Sequence, residues 1–362
     1  MDVLILGAGA GGAAAVVELT FAGHRVTLWN RSTETLAPFQ ESGGVAYEGV
    51  LGDGVAPTRL MTSDLESAIG GADAAVVTLP TFSHASVARS LAAAGWPASR
   101  PVVLNPGHTG GALEFAQAYR SVRPDLPPIA EFSTLTYVAR KYRPDRVTVT
   151  GRARHVRAAA LPGGAAALEV ACRLFPAAVP VTDVLAANLS NANLVLHPPG
   201  AVLGAAWVEA TRGDFTFYVQ AMTPGVARTM RRLDDERLAV ASAFGHRLPN
   251  LIGEMQSIGT VEPTVTDLND FVGAIAGGEA NRRIKAPDSL QHRYYREDFG
   301  HGLLPFVELA AIAGVETPVA SALLILAEAL VGTDYRESGR TAEAMGIRGM
   351  SRSELIHFVR PQ

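Results

Sequence analysis

The segment "DVLILGAGAGGAAAVVELTFAGHRVTLWNR", residues 2–31, predicts a strand, a glycine turn, a helix and a second strand. Residues 3–6 form a continuous apolar run of strand length, as expected for a parallel strand that is covered on both faces. The alanine-rich stretch that follows has a helical composition and ends at Gly23, a suitable C-terminal cap. "RVTLW" is rich in β-branched and aromatic residues and predicts the next parallel strand.

The alternation of strand and helix continues for roughly 150 residues, with further strands predicted at "AAVVTLP", "PVVLNPG" and "RVTVTG". After the helix predicted at "AALEVACRLF" the pattern changes to long helices with few strand signals, at residues 201–211, 223–245, 302–314 and 318–332. We therefore predict an α/β fold of two domains. Residues 1–182 form a Rossmann domain with a doubly wound parallel sheet, and residues 183–362 form an all-helical domain.

Composition narrows the classes of partner. The formal net charge of −4 argues against a nucleic-acid partner, which would favour a strongly basic face. Cys172 is the only cysteine, so an internal disulfide and a cysteine-based metal site are both excluded, and we expect no metal. The most apolar window, "TPVASALLILAEALVG", is too short to span a bilayer, and the N-terminus lacks a basic flank. We expect a cytoplasmic protein without a membrane partner, and a homodimer as its assembly.

Gly7, Gly9 and Gly12 form G-x-G-x-x-G directly after the first strand and at the opening of a helix. The first glycine allows a tight turn, the second lets the backbone approach a pyrophosphate, and the third lets the helix pack closely on the strand. Ala10 lies at the predicted helix N-terminus, where free N–H groups favour negative charge. The motif predicts a dinucleotide site; the alternative is a tight glycine turn without a ligand.

The second strand ends in "LWNRS" instead of the acid that would bind a ribose 2′-hydroxyl. Asn30 is neutral, Arg31 is a fixed cation with a fork of donors, and Ser32 adds a hydroxyl. Arg31 and Ser32 together suit a dianionic 2′-phosphate, so we expect NADP, with NAD left open. The alternative is that Arg31 is a solvated surface residue.

Two later strand ends, "TLPT" and "LNPGHTGG", face the cofactor crevice in such a sheet, because ligands lie at the carboxyl ends of the strands. His84 and His108 lie nearby and are expected to be caps or surface residues. The residues expected to border the ribose and nicotinamide are Leu79, Pro80, Asn105 and Gly107.

The stretch "NANLVLHPPG", residues 191–200, places His197 after an apolar run and before two prolines that restrict the backbone. Histidine is the most frequent proton-transfer group near neutral pH. Downstream, "SLQHRYYREDFGHGLLPF" concentrates arginines and acids, so a carboxylate could orient the imidazole and an arginine could grip a substrate carboxylate. The alternatives are a structural histidine and a solvated charged loop.

The motifs "GAGAGG", "LNPGHTGGALEF", "NANLVLHPPGAVL" and "HRYYREDFGHGLLP" together resemble the opine dehydrogenases, the octopine/nopaline dehydrogenase family, nearly end to end. The resemblance implies reductive condensation of an amino acid with a 2-oxo acid, through an imine that is reduced by hydride from a nicotinamide cofactor. It implies a catalytic dyad of His197 and Asp298. It also implies substrate binding by Arg293, five residues before that aspartate, and by Asn193 of the N-x-x-x-H-P element.

The chain departs from the family at Leu135-Thr136, where a Leu-Pro pair is frequent, and at "WNRS", where NAD-preferring members end in an acid. One rival is a ketopantoate reductase-like enzyme acting on 2-oxo or hydroxy acids. Such enzymes rely on a cleft lysine, and Lys141 and Lys285 are the only lysines here. A non-catalytic NADP-binding sensor is the rival of another class. The particular amino acid and 2-oxo acid stay open.

Overall fold

The computed structural model describes residues 1–279 and 281–360, which divide into two compact units. The first unit consists of Met1–Gly107 and Gly111–Val184, and the second of His108–Gly110 and Leu185–Arg360. The functional division into domains 1–182 and 183–362 stays a prediction. The last two residues of the second predicted domain, 361 and 362, lie outside the described residues.

The strands of the described residues all lie in the first unit. They are β1 (Asp2–Leu6), β2 (Arg25–Trp29), β3 (Val45–Gly49), β4 (Gly54–Ala56), β5 (Leu60–Thr62), β6 (Ala74–Val77), β7 (Val102–Leu104), β8 (Ile129–Phe132), β9 (Tyr137–Arg143), β10 (Arg146–Arg152), β11 (Val156–Ala160) and β12 (Ala178–Pro180). The helices of this unit are α1 (Ala10–Phe21), α2 (Thr33–Glu41), α3 (Leu65–Ile69), α4 (His84–Ala93), α5 (Gly111–Arg120) and α6 (Ala165–Leu174), with a 3₁₀ turn at Thr81–Ser83.

The main sheet has the order β12-β11-β8-β7-β6-β1-β2-β5. β1 lies between β2 and β6 and is parallel to both, with Leu6 opposite Trp29 on one side and Val77 on the other. The chain leaves β1 toward one edge through β2 and later returns to the other side through β6. The carboxyl end of β1 is therefore the topological switch point, where a ligand crevice forms in doubly wound sheets. The predicted fold class is confirmed.

One predicted strand lies elsewhere. "RVTVTG" is β10, which belongs to a separate four-stranded sheet of order β4-β3-β10-β9. β9 and β10 are antiparallel and are joined by a short Pro144-Asp145 turn. Val147 and Val149 are buried while their neighbours are partly or fully exposed, an alternation that suits a sheet with one solvated face. The main sheet also departs from a purely parallel arrangement, because β11 is antiparallel to β8.

In its described residues the second unit is helical, with an isolated bridge between Thr216 and Lys285 as its only β pairing. Its helices are α7 (Val184–Asn188), which begins at the boundary, α8 (Asn193–Leu196), α9 (Pro198–Leu203), α10 (Ala205–Thr211), α11 (Pro224–Ala243), α12 (Leu251–Ile258), α13 (Phe271–Gly277), α14 (Arg293–Asp298), α15 (Leu304–Ala313), α16 (Pro318–Val331), α17 (Tyr335–Ser338) and α18 (Arg352–Val359), with a π-helical segment at Phe299–Leu303.

Local sequence explains where these helices begin and end. α11 begins at Pro224, whose missing N–H is not needed at the first helical position, and the Thr223 hydroxyl caps it by accepting the Val226 N–H. The stretch predicted as one helix at 201–211 is instead two helices, interrupted at Gly204. Along the described chain we find no helix with the length and apolarity needed to cross a membrane.

Candidate active site

The glycine turn at the carboxyl end of β1 has the steric constraints of a nucleotide-binding loop. Gly7 has φ +118°, and a Cβ on Gly12 would lie 1.8 Å from the Gly7 carbonyl oxygen. Gly9 is exposed at the start of α1, and a Cβ there would meet nothing within 4 Å. Gly12 thus permits the packing of helix on strand, while Gly9 leaves the open side of the turn clear. This arrangement fits a pyrophosphate resting on the N-terminus of α1, where Ala10 begins the helix.

Thr78, at the end of β6, supports this turn and was not identified in the sequence. Its hydroxyl lies 3.1 Å from the Leu6 carbonyl and 3.2 Å from the Gly7 carbonyl, to which it donates. Leu79 packs on the same turn, since its side chain lies 2.9 Å from the Cβ position of Gly7. Pro80 then leads into the 3₁₀ turn.

The end of β2 is tied to the glycine turn by Asn30. Its side-chain oxygen accepts the Ala8 N–H at 3.1 Å, and its amide group donates to the Ser32 carbonyl at 3.2 Å. Arg31 is exposed. The Ser32 hydroxyl caps α2 by accepting the Thr35 N–H, so a phosphate contact would be additional to that task.

Glu34, in the first turn of α2, is an acid close to the end of β2 that was not predicted from the sequence. The Ser32 hydroxyl donates to its carboxylate at 2.6 Å, and this hydrogen bond lowers the pKa of the exposed Glu34 carboxyl. The β2 end therefore carries one fixed cation and one carboxylate. The signal in the sequence was present but ambiguous, because an acid in the first helical turn is also favoured by the helix dipole.

Asn105 and Gly107 follow β7 and make buried contacts there. Asn105 is fully buried, and its amide makes two hydrogen bonds with Thr136, at 2.9 Å to the hydroxyl and 3.2 Å from the backbone N–H. A Cβ on Gly107 would lie 2.0 Å from a carboxylate oxygen of the buried Glu131. Thr136 is the second residue of the Leu135-Thr136 pair at which the sequence departs from the family pattern. Its hydrogen bonds to Asn105 anchor this strand end. Contact of Asn105 and Gly107 with a cofactor stays a prediction.

The two nearby histidines are not surface residues, contrary to one of the two expectations. His84 is fully buried at the start of α4, and His108 is buried in the second unit with φ +58°. Burial lowers the pKa of His108.

His197 lies between two short helices of the second unit. Its backbone N–H donates to the Asn193 carbonyl at 3.2 Å, while Pro198 begins α9. Because Pro198 needs no hydrogen-bond acceptor at that position, the chain can start a new helix immediately after the histidine. The imidazole is almost completely buried, whereas Asn193 is half-buried.

α14 presents two side chains to this imidazole. Tyr294 and Asp298 are four residues apart and so lie on one face of the helix. An Asp298 carboxylate oxygen lies 2.9 Å from His197 Nδ1, and the Tyr294 ring stacks on the imidazole at 4.0 Å with an interplanar angle of 15°. Since a carboxylate only accepts hydrogen bonds, Nδ1 carries the hydrogen. The structure thus brings His197 and Asp298 together across 101 residues of chain.

Tyr218 forms a hydrogen bond with the other ring nitrogen of His197. Its hydroxyl lies 2.7 Å from His197 Nε2 and 3.3 Å from the Tyr294 hydroxyl. With Nδ1 protonated and the ring neutral, Nε2 accepts from the Tyr218 hydroxyl. Tyr218 was not predicted from the sequence, because a tyrosine in the connection between α10 and α11 matches no motif.

Arg293 lies on the neighbouring face of α14. Its side chain is about half exposed, and its guanidinium lies 3.4 Å from the Glu297 carboxylate, with the central carbon 5.8 Å from the centre of the Tyr294 ring. The half-exposed Arg293 therefore keeps N–H donors accessible to solvent. It is adjacent in sequence to Tyr294, the residue that stacks on the imidazole.

The two lysines occupy different places. Lys285 is exposed and forms an ion pair of 2.7 Å with Asp214 in the second unit. Lys141, on β9 of the first unit, lies 3.5 Å from the Ala8 carbonyl oxygen of the glycine turn.

Two family models match the chain. "NAD/NADP octopine/nopaline dehydrogenase, alpha-helical domain" matches residues 180–331, and "Ketopantoate reductase PanE/ApbA" matches residues 3–107. The chain is 34% identical to an opine dehydrogenase from Arthrobacter sp. (strain 1C), covering 96% of this chain and 95% of the relative. It is 25% identical to a vitopine synthase from Allorhizobium ampelinum, covering 98% of each.

Solved structures share the fold. An octopine dehydrogenase in complex with NADH and agmatine superposes with a TM-score of 0.77 at 19% identity, covering 98% of each chain. An NADP⁺-bound yersinopine dehydrogenase gives 0.74 at 16% identity, covering 99% of this chain and 97% of the other. A PanE/ApbA family ketopantoate reductase from Ralstonia eutropha gives 0.64 at 22% identity, covering 93% and 99%.

A Rossmann sheet with a glycine turn, followed by a helical unit, defines a nicotinamide-dependent oxidoreductase. The chain belongs to the opine dehydrogenase family, as the resemblance implied, and is an oxidoreductase that acts on CH–NH bonds.

Proposed function

We propose that this protein is an NADP(H)-dependent opine dehydrogenase that joins an amino acid to a 2-oxo acid. The amine condenses with the ketone to an imine with loss of water, and reduction gives a secondary amine dicarboxylate. Per turnover, one amino acid, one 2-oxo acid, one NADPH and one proton yield the opine, NADP⁺ and water. The cofactor, when bound, supplies the hydride.

The observation that carries this proposal is the hydrogen-bonded series Asp298–His197–Tyr218. Asp298 holds the imidazole in the tautomer with hydrogen on Nδ1 and stabilises the ring when it becomes protonated. Nε2 is then the atom that takes up or releases a proton, and Tyr218 is in hydrogen-bond contact with it. Imine formation requires a neutral amine and a proton for the departing water. A buried histidine with an oriented carboxylate is suited to both transfers.

Substrate carboxylates need cations, and Arg293 offers one. The guanidinium of this half-exposed side chain can bind a carboxylate in a two-point geometry, and Arg293 is adjacent in sequence to Tyr294, which stacks on His197. Asn193 is half-buried directly before the apolar turn that ends at His197, so its amide is a candidate donor to the second substrate.

The proposal is tested by following NADPH oxidation with 2-oxo acids in the presence and absence of amino acids, and by mass spectrometry of the products. An opine-forming enzyme needs both partners and yields the condensed product. Oxidation with 2-oxo acids alone would instead favour a reductase of the ketopantoate type, and binding without turnover across the panel would favour a sensor.

The role of His197 has its own test. His197→Ala should lower turnover by roughly 10²-fold or more, the scale of general acid–base groups, with NADPH binding intact. Near-normal turnover of a variant that still binds NADPH would remove the proposed role.

The preference for NADP rests on Arg31 at the end of β2 and the absence of an acid at that strand end itself. Arg31→Ala should raise the Michaelis constant for NADPH and leave that for NADH nearly unchanged. The preference is contradicted if the wild type shows no advantage with NADPH, or if the substitution leaves the ratio of the two constants unchanged.

A further inference from the structure

Lys141 is an inward-facing lysine on the last residues of β9. Side chains alternate along a strand, so Tyr137, Ala139 and Lys141 share one face of β9. The first two are buried in the core of the first unit, whereas Tyr142, on the opposite face, is 75% exposed. The pattern therefore extends the buried face with a lysine, a residue that is rarely buried without a partner for its charge.

The ammonium group of Lys141 is held over the nucleotide loop. It lies 3.5 Å from the Ala8 carbonyl oxygen and 4.2 Å from the centre of the Phe39 ring on α2. Among residues 1–279 and 281–360, no carboxylate forms an ion pair with it. Burial lowers the pKa of Lys141, with a smaller opposing influence from Asp145. A partly desolvated cation without an acidic partner is stabilised by any anion that binds beside it.

The position of Ala8 indicates which part of a dinucleotide this is. Ala8 lies between Gly7 and Gly9, and its N–H donates to the side chain of Asn30 at the end of β2. The pyrophosphate belongs at the start of α1, two residues further on, whereas the end of β2 is where the adenosine ribose is recognised. Lys141 thus reaches the glycine turn on its ribose side.

With a 2′-phosphate bound, the negative charges at the end of β2 would exceed the positive charge there. A 2′-phosphate brings a charge of about −2, and the Glu34 carboxylate adds another negative charge, against the single positive charge of Arg31. We propose that Lys141 binds the 2′-phosphate of NADP(H) together with Arg31, and so determines cofactor specificity. This assignment rests on the NADP preference proposed above. In the sequence of the first unit, Lys141 is far from the glycine motif.

The test measures direct binding. Dissociation constants for NADPH, NADH, adenosine 2′,5′-bisphosphate and AMP are determined by fluorescence and calorimetry for the wild type, Lys141→Met and Lys141→Arg. Lys141→Met should weaken NADPH and the bisphosphate by about 10- to 100-fold, the scale of a charged hydrogen bond, and change NADH and AMP by less than about twofold. Lys141→Arg should retain most of the affinity.

The matched control is Lys285→Met, which removes the chain's other lysine from an exposed ion pair and should change none of the four constants. Equal weakening of NADPH and NADH by Lys141→Met would assign the lysine to the pyrophosphate or to the fold, and no weakening would leave it without a binding role. Either result overturns the proposal. If Lys141→Met does not fold, Lys141→Gln is measured in its place.

The NADP preference and the role of Lys141 can be contradicted separately. A wild type that binds NADPH no better than NADH contradicts the NADP preference itself, and with it a 2′-phosphate site at Lys141. A wild type that prefers NADPH while Lys141→Met keeps that preference contradicts only the assignment of Lys141. Opine formation is measured with both cofactors and is independent of either outcome.

Discussion

The glycine turn of the first unit and the His197 cluster of the second unit are built in opposite ways. The turn is contiguous, from Gly7 to Gly12, and its requirement is the absence of side chains at a fixed short spacing. The cluster needs side chains that are present and oriented, and it draws Asp298 and Tyr218 from 101 and 21 residues away. A steric requirement at short range is visible in a sequence, whereas a hydrogen-bonded cluster depends on where helices pack.

The largest effect is expected at the glycine turn, where substitutions can distinguish the roles of Gly12 and Gly9. In Gly12→Ala the new Cβ meets the Gly7 backbone oxygen, which cannot move away, so the free energy of unfolding should fall by about 3 kcal/mol or more. Gly9→Ala has open space around its Cβ and should keep the wild-type Tm without cofactor, yet weaken cofactor binding about tenfold.

Thermal unfolding without cofactor, followed by NADPH titration, distinguishes the two variants. If Gly12→Ala unfolds at the wild-type temperature, the turn has more room than the structure indicates. If Gly9→Ala binds NADPH normally, the open side of the turn does not face the pyrophosphate.

In the cluster, Asp298→Asn should lower turnover by about 10²-fold while NADPH affinity is kept. The amide cannot stabilise a protonated imidazole and can favour the wrong tautomer. Steady-state kinetics and NADPH titration measure both effects. Asp288→Asn, an exposed acid shortly before α14, is the control and should behave as wild type. A fall in turnover of less than threefold would mean that the carboxylate does not serve the imidazole.

Tyr218→Phe removes the hydroxyl on Nε2 and keeps the ring, so a smaller loss of turnover is expected, about tenfold. Steady-state kinetics and NADPH titration measure the loss, with the exposed Tyr142→Phe as control, which should behave as wild type. Turnover of Tyr218→Phe within about twofold of the wild type would show that the hydroxyl on Nε2 has no part in the reaction.

The smallest effect concerns acid stability and arises from a histidine of the second unit. Burial, with a further contribution from Arg340, lowers the pKa of His301 in the π-helical segment to about 3. Below its unfolded value of 6.5 the unfolded chain binds a proton that the folded unit does not, so stability falls as the pH decreases from 6.5 toward 3. Between pH 6.5 and 5.5 the loss is about 1 kcal/mol.

Chemical denaturation of the wild type and His301→Gln across this pH range tests the expectation. The variant should lose less stability on acidification than the wild type, while the exposed His357→Gln should follow the wild type. Parallel curves for wild type and His301→Gln would show that His301 is not the titrating group.

Much of the fold was predictable because local patterns repeat. The strand–turn–helix of residues 2–31 is marked by hydrophobic period and glycine, and its elements occur in the predicted order. The helices predicted at 318–332 and 223–245 occur within two residues of the predicted bounds. β10 was assigned to the wrong sheet because a strand's own residues indicate its alternation but not its partner. The same limit applies to His84 and His108, whose burial depends on what packs over them.

The sequence alone was sufficient to predict the Rossmann turn, the helical second half and the family. Each of these depends on residue spacing over a few positions or on the order of motifs along the chain. The hydroxyl of Tyr218 on Nε2, the carboxylate of Glu34 beside Ser32 and the ammonium of Lys141 above Ala8 became visible only in three dimensions. A hydrogen bond or ion pair requires atoms within about 3 to 4 Å, and folding brings residues 141 and 8 that close without any trace in their local sequence.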